Sequence, residues 1–69
     1  MNENKFSPRA EEALRLSQEA AGELGHGYVG TEHLLAGILR EGNNMAVRIL
    51  RTAGVDARHL YTALMQKLG

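Results

Sequence analysis

A small all-α bundle of four short helices is the fold this sequence predicts. Three observations carry that expectation. Apolar residues recur at steps of three and four in four separate stretches, the spacing that lines one face of a helix. The stretches open on Ser, Thr, Asn or Asp and close on glycine, the residue types that cap helix starts and ends. The turns between them are very short, with no linker, no low-complexity segment and no strand to build a sheet. At 69 residues the chain holds one domain.

Residues 1–5 are polar and are expected to form a disordered lead to one folded unit over residues 6–69. Phe6 is the first apolar anchor. Ser7 is a good N-cap and Pro8 suits the first helical position, where its missing N–H costs nothing. The first helix is expected from Pro8 to Leu24. Ala10, Leu14, Ser17, Ala21 and Leu24 line one face, widened by Ala13, Leu16 and Ala20. So many alanines let a neighbouring helix approach closely, and Gly25 is the expected stop.

The second helix is expected over Glu32 to Glu41, with Thr31 as N-cap and Leu34, Leu35, Ile38 and Leu39 as its buried face. Gly37 weakens that helix by up to about 1 kcal/mol against Ala, which a close helix contact would explain. Asn43 or Asn44 caps a third helix from Met45 to Ala53, its apolar side formed by Ala46, Val47, Ile49, Leu50 and Ala53. Asp56 caps a fourth, with Leu60, Tyr61, Leu64, Met65 and Leu68 facing inward. Met45 and Met65 read as core fillers. Arg40, Arg48, Arg51 and Arg58 read as solvated faces, and His59 as solvent-facing.

The informative choices gather between Gly25 and Leu35. Gly25, Gly27 and Gly30 spell G-x-G-x-x-G, but a dinucleotide site needs a preceding strand and a βαβ unit, and the preceding residues read as helix. The same glycines serve as a helix stop, a turn and a new start. His26 and His33 lie seven apart with no further ligand in a recognised spacing, so they read as hydrogen-bonded structural histidines and no metal site is expected. No catalytic constellation is assignable from spacing, so no enzyme activity and no cofactor are expected.

Composition excludes further classes. Eight basic residues balance eight acidic ones, which offers no bulk field to nucleic acid or membrane. No apolar run approaches the roughly 20 residues of a membrane span. There is no cysteine, which fits a reducing compartment, and a cytoplasmic location is expected. A chain this short buries only about 60% of its unfolded surface, so a partner or a second copy would help it.

Phe6-Ser-Pro-Arg-Ala10, the Leu24–Leu35 string L-G-H-G-Y-V-G-T-E-H-L-L, Leu39-Arg-Glu-Gly42 and Ala46-Val-Arg-Ile-Leu50 resemble the Clp N-terminal repeat. That repeat opens ClpC- and ClpA-type AAA+ unfoldases, and the likeness runs from Phe6 to Gly69. The resemblance implies one repeat of a domain that normally holds two as a pseudo-symmetric pair. It implies a non-catalytic module that docks adaptor proteins and protein substrates; no G-x-x-x-x-G-K-[ST] phosphate loop occurs here. It further implies phosphoarginine recognition, with Glu32 meeting the guanidinium and Thr31, Ser7 and Arg9 nearby. A carboxylate pairs the guanidinium fork, and amides at a helix start suit the phosphate. First-turn helix stabilisation is the plainer role for Glu32, and N-capping for Thr31. A lone repeat also implies an uncovered face, and with it a homodimer.

Overall fold

The computed structural model describes residues 5–69, so the expected polar lead lies outside the described residues apart from Lys5. Four helices follow in order: α1 (Pro8–Glu23), α2 (Thr31–Glu41), α3 (Met45–Thr52) and α4 (Ala57–Leu68). No strand occurs among the described residues.

Local chemistry accounts for the helix ends. The Ser7 hydroxyl accepts from the Ala10 amide at 3.2 Å, which caps α1, and Pro8 opens the first turn. At the far end the His26 amide reaches the Ala21 carbonyl and the Gly25 amide reaches Gly22. That paired closure needs a left-handed residue, and Gly25 supplies it at φ +75°. α3 closes the same way, with Val55 bonded to Leu50, Gly54 to Arg51, and Gly54 at φ +84°. Asn44, not Asn43, caps α3: its Oδ1 accepts from Val47 at 2.8 Å. The Asn44 amide group also donates to Ile38 and Glu41, which ties the end of α2 to the start of α3. Asp56 caps α4 through the amides of Arg58 and His59.

α2 starts one residue earlier than its capping pattern suggests. Gly30 is the N-cap and Thr31 the first helical residue, so the Thr31 hydroxyl does not cap the helix. No N-cap side chain holds the first-turn amides, and the His33 ring instead accepts from the amide of Gly30 itself.

The core is made of small residues. Ala13, Ser17, Ala20 and Ala21 of α1 are buried against Ala36, Gly37 and Leu39 of α2. A Cβ on Gly37 would lie 2.1 Å from the Ala13 carbonyl oxygen and 2.8 Å from the Ser17 amide nitrogen. The backbones therefore touch at this crossing, which is why a helix-weakening glycine stands there. Ser17 is fully buried, and its hydroxyl donates to the Leu14 carbonyl within its own helix. Val47 alone among α3 residues is buried.

Several apolar residues expected inside are not. Met45 and Ile49 are each 61% exposed, Phe6 60% and Leu34 36%. A short helix held by one buried valine turns most of its apolar side outward, and no described element covers it. Arg40 departs the other way. Expected to be solvated, it donates to both carboxylate oxygens of Glu23, at 2.9 and 3.3 Å, and to the Tyr61 hydroxyl. It thereby links α1, α2 and α4. His59 is exposed, as its position implied.

Candidate functional site

The surface tip formed by residues 25–33 is built outward from the end of α1. The Gly25 closure directs His26 back across the turn. His26 Nδ1 lies 2.7 Å from His33 Nε2, and His33 Nδ1 accepts from the Gly30 amide at 2.8 Å. Because Nδ1 of neutral His33 is an acceptor, its Nε2 carries the hydrogen and donates to His26. His33 is fully buried. It reaches back to the N-cap amide, the part a Glu or Gln plays in a capping box. Tyr28 completes the cluster: its ring lies parallel to His26 at 5.5 Å and edge-on to His33 at 5.1 Å.

This scaffold presents Glu32. The Tyr28 hydroxyl donates to Glu32 Oε2 at 3.2 Å. The carboxylate also curls back over the helix start, where Gly30 leaves room: a Cβ there would meet Glu32 Oε1 at 2.6 Å. The bond from its own backbone amide is the largest influence holding the Glu32 carboxyl below the usual range. Partial burial opposes it, and Tyr28 and the two histidines reinforce it. Glu32 is therefore ionised at neutral pH. Thr31 beside it is exposed, as are Tyr28 at 57% and Val29 at 44%.

Ser7 and Arg9 lie elsewhere. α1 is 16 residues long, which separates its ends by roughly 24 Å. The histidine chain anchors Glu32 at the C-terminal end of α1, whereas Ser7 and Arg9 stand at its start. They line a different cleft of about 380 Å³, together with Ile38, Asn44, Met45 and Arg48. The structure thus brings Thr31 and Glu32 together and holds Ser7 and Arg9 apart from them. Tyr28 is the site residue that sequence reasoning missed. It precedes the helix, where four-residue spacing carries no contact information, so no signal marked it.

Among the described residues no group of three or more His, Cys, Asp or Glu side chains could hold a metal ion. No described helix is long and apolar enough to cross a membrane.

The pattern described as the Clp repeat (R) N-terminal domain matches residues 5–69. This chain belongs to that family. The chaperone protein ClpC of Pisum sativum chloroplasts is 48% identical over 64 residues, which are 93% of this chain and 7% of that protein. The ClpA homolog of Porphyra purpurea, an ATP-dependent Clp protease ATP-binding subunit, is also 48% identical over 64 residues, 93% of this chain and 8% of that protein. The Clp repeat here thus spans less than a tenth of the length of these relatives. The four-helix form and the capped histidine turn are how this repeat realises the family sequence.

Proposed function

We propose that this Clp repeat is a non-catalytic docking module through which a ClpC-like unfoldase receives adaptors and protein substrates. The Glu32 tip takes the guanidinium of a phosphoarginine mark. One observation carries the reading: an ionised carboxylate stands on an exposed helix start, with Thr31 beside it. A guanidinium would replace the Tyr28 hydroxyl as the partner of Glu32, forming a charge-assisted pair. The phosphate would sit toward the first-turn amides and the Thr31 hydroxyl, where the helix dipole favours an anion. Exposed Tyr28 and Val29 would cover the flanking chain. The absence of cysteine suits a reducing compartment such as the cytoplasm.

Calorimetric titration of phosphoarginine into the wild-type chain and Glu32→Ala tests this. Saturable binding by the wild type and its loss in the variant are expected. Equal affinity for both proteins, or no binding by either, removes the marked-arginine reading.

The outward-facing Met45 and Ile49 favour a second reading, in which α3 meets the α3 of another copy and the repeat acts as a homodimeric scaffold. Sedimentation equilibrium decides it; a monomer at high concentration ends it.

A further inference from the structure

The cleft that takes Ser7 and Arg9 away from Glu32 has a chemistry of its own. Its floor is apolar, with Ala10, the buried Ala13, Ile38 and Ala46. Exposed Met45 stands beside it, an adaptable side chain that can close over a guest. Its volume of about 380 Å³ suits one or two apolar side chains.

Two exposed guanidiniums, Arg9 from α1 and Arg48 from α3, line this apolar trough. Neither has an ion-pair or hydrogen-bond partner for its side chain among the described residues, whereas Arg15 is paired with Glu12 and Glu19, and Arg40 with Glu23. The neutral net charge conceals a division along the chain. Residues 5–41 carry six glutamates against four cations, while residues 42–69 carry Arg48, Arg51, Arg58 and Lys67 against Asp56 alone. Arg48 belongs to the basic part of the chain and Arg9 faces it across the cleft, and among the described residues no carboxylate lines that cleft.

We propose that this cleft binds an acidic–apolar peptide segment of another protein. A leucine-like side chain enters between α1 and α3, and carboxylates flanking it pair with Arg9 and Arg48. The arginines set the partner's charge; the trough sets its need for an apolar residue. A purely anionic ligand would leave the trough empty, and a purely apolar one would leave both arginines unpaired. The site is independent of Glu32 and does not rest on the phosphoarginine reading.

Fluorescence anisotropy with the full chain and three labelled hexapeptides, EELLEE, KKLLKK and EEGGEE, tests the proposal. EELLEE is expected to bind saturably and the other two far more weakly. Binding should weaken as salt is added, because the arginines are exposed. Arg9→Ala and Arg48→Ala should each weaken EELLEE by roughly threefold to fivefold, and the double charge reversal Arg9→Glu, Arg48→Glu by about tenfold or more. Both positions are exposed, and circular dichroism verifies that the variants remain helical. Glu32→Ala should leave EELLEE binding unchanged, which separates this site from the phosphoarginine site. Three results would each overturn the proposal: no saturable binding of EELLEE, unchanged affinity in the double reversal, or equal binding of EEGGEE. Equal binding of EEGGEE would mark a general anion surface.

Discussion

Between α1 and α2 the main chains themselves meet, with Gly37 against Ala13 and Ser17 and alanines filling the remaining space. Around α3 and α4 the arrangement is the reverse. α3 buries only Val47, α4 buries no residue fully, and large apolar side chains such as Ile49 face outward. Small residues permit close approach and leave little that can repack, so the first pair of helices tolerates no added atom. Large residues on a lightly packed pair leave surface over for contacts with other chains. The comparison teaches where rigidity and adaptability reside: the close-packed pair carries the Glu32 tip, and α3 contributes one wall of the adaptable cleft.

The sharpest way to break this contrast is Gly37→Ala. Helix propensity alone would favour alanine by up to about 1 kcal/mol. The added Cβ, however, meets backbone atoms of α1, and forcing that crossing open should cost about 3 kcal/mol or more. Thermal unfolding should show a loss of roughly 4–8 °C for each kcal/mol in a domain of this size. Equal or greater stability of the variant would mean that the two helices separate without cost.

A smaller difference should appear within α3. Val47→Ala removes its buried anchor and should cost about 2 kcal/mol, whereas Ile49→Ala, on the exposed side, should stay within roughly 0.5 kcal/mol. Urea denaturation of the two variants side by side measures this. Similar losses would show that Ile49 is covered in solution, which would support association of two copies.

Arg40 spans the two halves, so Arg40→Ala measures their coupling. Its carboxylate partners are half exposed, and the loss should be about 1 kcal/mol. In a Tyr28→Phe background, where Tyr61 is the one remaining tyrosine, unfolding followed by tyrosine fluorescence and by helical signal should be a single transition with Arg40 present and begin to separate in Arg40→Ala.

Acid should produce the smallest effect at first and act on both halves. The Arg40 guanidinium holds the Glu23 carboxyl below the usual range, Glu32 is lowered by its own amide, and Asp56 by the amides it caps. Because these folded-state values lie below the unfolded ones, their contribution is complete above the ordinary carboxylate range of about 4. It is lost as pH falls through the lowered values. Melting temperatures should therefore decline as pH falls below about 5. A rise on acidification would contradict these assignments.

What the sequence determined by itself was the set of helices and most of their ends. Ser7, Asn44 and Asp56 cap through atoms within three residues of themselves, and Gly25 and Gly54 end helices through equally local bonds. Such signals need no knowledge of the rest of the chain. The close contact at Gly37 was also legible, because a glycine inside a helix calls for a neighbour that needs the space. Only the tertiary structure decided which apolar residues are covered, that Arg40 is drawn into a three-helix link, and that Ser7 and Arg9 stand a full helix length from Glu32. Those outcomes depend on how helices cross and on what remains to cover each face. Helical periodicity names a face but does not say what lies opposite it.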